Sequence, residues 1–122
     1  MQRNMDLIRE ILINLEVEEK ELTNDLGLKE YKTTDPTVVH HLRIMQEAGL
    51  IDVCLDNVNN YKITTPKNAR LTWHGHDFLS KIKNETVWQK TKAKFKDSLS
   101  AMPFSLLNDV ALELCKKAID TA

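Results

Sequence analysis

Between Pro36 and Ala48 the chain reads PTVVHHLRIMQEA, and the polar side chains in it are of the types that read base pairs. Arg43 can donate two parallel hydrogen bonds to guanine O6 and N7, and Gln46 can pair with adenine N6 and N7. Thr37, His40 and His41 add donors and acceptors on the same helix, and Ile44 suits a thymine methyl. Downstream, Lys62, Lys67 and Arg70 are the cations nearest a predicted turn, where they would meet phosphates rather than bases. The same helix face also fits a plainer description: a solvated surface, or one that buries Ile44 against a partner chain.

Other chemistry-bearing residues point to less. His74 and His76 bracket Gly75, but side chains at i and i+2 of a helix point roughly 200° apart and cannot share one metal ion. No Cys-His or His-Glu-x-x-His spacing is present. His41 also reads as a hydrogen-bonding residue at the edge of the core. Cys54 and Cys115 lie in unrelated segments without a C-x-x-C spacing, which predicts small buried hydrophobes in a reducing compartment. With only three glycines there is no glycine-rich phosphate loop, and neither a nucleophile elbow nor a carboxylate pair in an apolar run occurs. The expectation is a protein that is not an enzyme and takes no metal and no small-molecule cofactor.

A length of 122 residues implies one domain, and 42% hydrophobic with 29% charged residues is ordinary for a globular chain. Aromatics amount to 6%, so aliphatic side chains must build the core. No apolar run approaches the roughly 18 residues of a membrane span, and the first residues lack a signal-peptide core, which predicts a cytoplasmic location and no membrane contact. The net charge of −1 hides an uneven distribution: −4 over residues 1–35, zero over 36–80, +4 over 81–100 and −1 over 101–122. The basic part is Lys81, Lys83, Lys90, Lys92, Lys94 and Lys96. Lys90 and Lys94 are one turn apart, as are Lys92 and Lys96, so the six straddle a helix. A solvated amphipathic helix is favoured there, with a patch tracking a phosphate backbone as the alternative.

These residues need elements to position them. Met5, Ile8, Ile11, Leu12 and Leu15 recur at helical spacing behind an Asn4 cap. From Val17 to Asp35 no period of 3.6 survives, and Leu26, Leu28 and Tyr31 read as an extended piece. Asp35 caps a second helix that opens on Pro36 and closes at Ala48-Gly49, the glycine taking a left-handed C-cap. On that helix Val38, Leu42 and Met45 form the inner stripe. Leu50 to Leu55 is rich in strand formers, Asp56 to Asn60 is a turn by composition, and both 61–64 and 69–72 are candidate return strands. The turn itself carries no Lys or Arg. Thr72 caps a third helix, and Asn84 caps a fourth whose inner face is Trp88, Thr91, Phe95 and Leu99. Pro103 opens a last helix with the stripe Phe104, Leu107, Ala111, Leu114 and Ala118, widened by Leu106 and Val110 to ask for two neighbours.

Helix, hairpin and helix in this order resemble the recognition helix and wing of bacterial winged-helix regulators, in which a phrase like HL-x-x-M-x-E-A-G-L-I joins helix to wing. The segments MQRNMDLIREILINLE, HHLRIMQEAGLI, RLTWHGHDFLSKIKNETVWQKTKAK and MPFSLLNDVALELCKKAI together resemble a small bacterial and prophage family carried as a domain of unknown function. LTWHGHDFL and ETVW are the most specific pieces, and the likeness covers nearly the whole chain. It implies a winged-helix fold, a phage or mobile-element setting and no catalytic residues. The chain departs from the wider regulator pattern over Val17–Asp35, where the first helix of a helix-turn-helix belongs.

The expected fold is therefore α+β: a single winged helix-turn-helix-like domain with a small β-hairpin wing, a core over about residues 4–83 and a helical extension over 84–120. The expected function is double-stranded DNA binding of the transcription-regulator type through Thr37, His40, His41, Arg43, Ile44, Gln46, Lys62, Lys67 and Arg70. Its rival is a winged-helix scaffold for protein–protein interaction. A homodimer through the Phe104–Ala118 stripe is compatible with either, since two DNA half-sites a turn apart need one.

Overall fold

Six apolar side chains spaced three and four apart make the N-terminal segment helical and bury it: α1, Met5–Val17, turns Met5, Leu7, Ile8, Ile11, Leu12 and Leu15 inward. Each is worth about 2 kcal/mol when withdrawn from water, so α1 is the natural axis of the core. The computed structural model describes residues 3–17, 26–55 and 66–120, the last three by backbone alone. After α1 come α2 (Pro36–Glu47), β1 (Ile51–Cys54), β2 (Lys67–Leu71), α3 (Trp73–Ile82), α4 (Glu85–Phe95), a 3-10 segment over Lys96–Ala101 and α5 (Phe104–Asp120), an α+β arrangement. Around α1 pack α2, β2 and α3, while α5 covers α3 and α4. Among the described residues no helix is long and apolar enough to cross a membrane.

The expected caps form. Asn4 Oδ1 accepts from the Leu7 N–H at 3.2 Å, Asp35 Oδ1 from the Thr37 N–H at 2.8 Å, and Asn84 Oδ1 from the Val87 N–H at 3.1 Å. Gly49 takes φ +79° just beyond the Ala48 cap, and the chain turns there into β1.

Three sequence expectations are corrected. Residues 26–35 form bends and turns rather than an extended piece. Side chains of α1 supply the partners a ladder would have given: Asn14 Nδ2 donates to the carbonyls of Leu26 (2.8 Å) and Gly27 (3.3 Å), and Glu10 Oε1 accepts from the Lys29 N–H at 2.9 Å. Residues 26–35 thus contain no first helix of a helix-turn-helix, and 18–25 lie outside the described residues. The second correction is at α4, which ends at Phe95. Lys96 adopts φ +49°, the chain continues as a 3-10 segment, and Leu99 is reached from there rather than along one helix. The third is Cys54, which is exposed on the hairpin and not a buried hydrophobe. Cys115 is half-buried, its thiol pushed up by burial and donating to the Lys81 carbonyl at 3.1 Å.

Of the two candidate return strands, the second pairs with β1: Ile51 lies opposite Leu71, Asp52 opposite Arg70 and Cys54 opposite Lys67, antiparallel, with a register irregularity between Asp52 and Cys54. Asn68 sits at φ +56° in this stretch, a conformation Asn tolerates better than most residues. The predicted turn at 56–60 and the 61–64 strand lie outside the described residues. The C-terminal stripe finds its two neighbours within the chain. Leu107 and Ala111 are buried, and Phe104 meets Phe78 edge-on with centroids 4.6 Å apart. Of the stripe considered for a homodimer, Leu107 and Ala111 are thereby buried, while Phe104, Val110 and Leu114 stay half-buried. The exposed leucines, Leu106 and Leu112, lie about 120° apart around α5 and make no continuous face.

Candidate nucleic-acid interface

The helix expected to read DNA is held on both edges, and these edges decide which of its side chains are available. One edge lies against the N-terminus of α1. His41 is fully buried there: its Nε2 accepts the Asn4 N–H at 2.7 Å and its Nδ1–H donates to the Thr37 carbonyl at 2.7 Å. That pattern requires the neutral ring with the proton on Nδ1. Burial pushes its pKa down, against the raising effect of the Thr37 carbonyl and with a smaller lowering by His40. Thr37 shares this edge, and Ile44 lines a small apolar hollow with Met5, Ile8, Leu50 and Phe104. His41, fully buried, is therefore not available to a groove of DNA, whereas Thr37 and Ile44 are only half-buried. All three point roughly 100–160° away from Arg43 around the helix.

The other edge lies against the hairpin. Gln46 Oε1 accepts the Val53 N–H at 2.6 Å, satisfying a backbone donor of β1, so Gln46 braces the hairpin while remaining exposed. Outward between the two edges stand His40 and Arg43, with Val39 and Glu47 beside them. His40 is half-buried, its ring edge-on to His41 at 5.6 Å, and Arg43 is exposed without an ion pair or hydrogen bond among the described residues. On the hairpin Lys67 is exposed. Arg70 is exposed and bound to Asp52 at 2.9 Å, so it is not the free cation expected. An exposed pair of that kind is worth at most about 1 kcal/mol, so a phosphate could recruit Arg70 at small cost. Lys62 lies outside the described residues.

The lysine-rich segment is half engaged. Lys81 binds Asp77 (2.9 Å) and Asn108 (2.8 Å), Lys83 binds Glu16, and Lys92 binds Asp6 at 3.0 Å. Lys90, Lys94 and Lys96 remain exposed. Among the described residues no group of three or more His, Cys, Asp or Glu is placed to hold a metal ion.

Two features escaped the sequence reading. Gly75, noticed only as the residue between two histidines, lies so close to α2's exit turn that a Cβ there would fall 1.9 Å from the Leu50 carbonyl oxygen. The junction is sealed by the Thr72 N–H donating to Leu50 O at 3.0 Å, by the Thr72 hydroxyl donating to Gly49 O, and by the Gly75 N–H donating to Thr72 Oγ1 at 3.1 Å. A glycine two positions inside a helix was the available signal. The second is Trp73, 84% exposed at the start of α3, one residue beyond this junction.

Comparison with known proteins gives two matches. The profile of the DUF2513 family, described as hypothetical protein, matches residues 2–101. A Haemophilus influenzae protein described as uncharacterized is 34% identical over 113 residues, covering 91% of this chain and 92% of the relative. No solved structure matches.

Proposed function

We propose that this chain, which belongs to the DUF2513 family, is a winged-helix-type module that binds double-stranded DNA in the manner of a transcription regulator of phage or mobile-element origin. The observation that supports this reading is the outward face of α2: Arg43 is exposed and unpaired among the described residues, with half-buried His40 beside it, on a helix braced against a hairpin by the Gln46–Val53 bond. In this reading α2 enters the major groove, Arg43 donates to a guanine edge, His40 lies against the backbone, and Lys67 and Arg70 on the hairpin contact phosphates. Thr37, His41, Ile44 and Gln46 position the helix without touching DNA.

The test is a titration of short duplexes against salt. With Lys67 and a released Arg70 as phosphate partners, log K should fall against log salt with a slope of about −2. Arg43→Ala should weaken binding by about 1–3 kcal/mol on a preferred duplex. No binding to any duplex at low salt, or a slope untouched by Lys67→Ala and Arg70→Ala together, refutes it.

A second reading rests on Trp73. A tryptophan 84% exposed beside the end of α2 is of the kind that anchors protein interfaces. It makes the protein an interaction module, with Trp73 and the α2 face contacting a partner chain. Trp73→Ala abolishing capture of a defined partner, with duplex binding absent in the parent protein, selects this reading.

A further inference from the structure

A groove of about 430 Å3 opens between the N-terminus of α1, the first turns of α2, Tyr31 and the 3-10 segment, on the side of α2 opposite to its free face. That volume falls in the range of sites for small organic ligands. Two cations and two anions line it: Arg3 and Lys96, Asp6 and Asp97.

Neither cation is paired with a carboxylate among the described residues. The Arg3 guanidinium is half-buried and stays charged although burial lowers its pKa. Its Nη2 donates to the carbonyls of Leu99 (3.1 Å) and Met102, its Nε is buried without an acceptor, and no carboxylate pairs with it among the described residues. Its charge is thus met by carbonyl dipoles rather than by a counter-ion. Lys96 holds φ +49° and ψ −124°, a conformation suited to glycine, and a charged residue kept there at a backbone cost is the kind of outlier that marks ligand sites.

Of the two anions, Asp97 is the freer and Asp6 is engaged through one oxygen. Asp97 makes no ion pair among the described residues. Asp6 directs Oδ1 to both Trp88 Nε1 (2.9 Å) and Lys92 Nζ (3.0 Å), leaving Oδ2 without a partner. Burial pushes the Asp6 carboxyl up, but the hydrogen bonds from Trp88 and Lys92 and the charges of Lys92 and Arg9 outweigh it, so the carboxylate is ionised. Two carboxylates in the wall disfavour a phosphate dianion, and two cations disfavour a simple amine. The balanced lining suits a ligand that carries both charges.

We propose that this groove binds a small zwitterion of the α-amino acid class, its carboxylate toward Arg3 and Lys96 and its ammonium toward Asp97 and the unpartnered oxygen of Asp6. The ligand would sit against Thr37 and over the His41–Asn4 bond, where α2 is fastened to α1. The assignment does not depend on what α2 contacts.

The test is titration of the full ¹⁵N-labelled chain with the standard amino acids in pools, with acetate and methylammonium as half-ligands. Saturable shifts of the Tyr31, Thr37, His41 and Ser100 amides by an amino acid, exceeding those from either half-ligand, are expected. Lys96→Gly relaxes the backbone while removing the ammonium, so it should raise the thermal midpoint yet weaken binding about tenfold. Asp97→Asn should weaken binding similarly, and Lys94→Ala should not change it. No saturable shift with any pool, acetate binding as tightly as the amino acid, or undiminished affinity in both Lys96→Gly and Asp97→Asn overturns the proposal.

Discussion

Replacing Gly75 by alanine adds one methyl at the point where α3 leans on the exit turn of α2. The ideal Cβ lies 1.9 Å from the Leu50 carbonyl oxygen, whereas real Cβ contacts essentially never fall under 3.0 Å, so backbone must move by more than an ångström. Neither side can yield as a side chain would, because the obstacle is a carbonyl that also accepts the Thr72 N–H. Overpacking of this kind costs about 1–3 kcal/mol, and loss of the Thr72–Leu50 bond adds about 1 kcal/mol. A total near 3 kcal/mol corresponds to a fall of roughly 10 °C in the thermal midpoint of a chain this size. Gly49→Ala is the internal control: unlike Gly75 it needs a positive φ, +79°, but a Cβ there meets nothing within 4 Å, so only the conformational cost of about 1 kcal/mol applies. Calorimetry or chemical denaturation of both variants settles the ranking. Equal destabilisation, or a Gly75→Ala midpoint within about 2 °C of the parent, refutes the junction as described.

His41 makes stability depend on pH. Its folded-state pKa lies below the ordinary value, so the unfolded chain binds the proton more readily; the stabilisation is complete above about pH 6.5 and is lost as pH falls toward the folded pKa. Urea midpoints between pH 7.5 and 5 should fall more steeply for the parent than for His41→Gln, and parallel curves refute the assignment. Gln46→Ala removes the acceptor of the Val53 N–H, which should cost about 1 kcal/mol and speed exchange of that amide about fivefold, as read by hydrogen exchange. Asn14→Ala leaves the carbonyls of Leu26 and Gly27 without their α1 donor and should cost about 1 kcal/mol, measurable by denaturation, with faster proteolysis in the 26–35 segment.

The helices were legible in the sequence because each carries its own local signals. Asn4, Asp35, Thr72 and Asn84 cap where expected, the stripes of α1 and α2 are buried as their spacing implies, and Leu107 and Ala111 of the α5 stripe are buried with them. Local rules failed where partners are distant in sequence. Residues 26–35 have no periodicity because Asn14 and Glu10 of α1, rather than a neighbouring strand, hold their backbone. The site was half legible for the same reason. A helical wheel separates Val38, Leu42 and Met45 from Arg43, but it cannot say which flank meets α1 and which meets β1. His41, Ile44 and Gln46 sit on those flanks, and their roles are fixed by Asn4, Phe104 and Val53, contacts that no spacing within α2 encodes. The close approach at Gly75 was hidden because a glycine inside a helix announces only that something comes near, not what.

Fixing both flanks of α2 has a consequence for any ligand of its free face. His40 and Arg43 are presented on a helix joined to α1 through His41, to β1 through Gln46 and to α3 through Gly49 and Leu50, so little ordering remains to be done on binding. Charge offers much less. Arg43 has Glu47 one turn away, Arg70 is opposed by Asp52, and Lys67 is the remaining exposed cation among these candidates. Two phosphate contacts supply only a shallow, non-specific hold on duplex DNA at physiological salt. A single copy acting through this face would therefore discriminate by shape and by the Arg43 contact while binding weakly. Tight occupancy through this face would require a second copy or an additional contact surface. The exposed Trp73, set where α2 ends, is the best-placed apolar group for such an added contact.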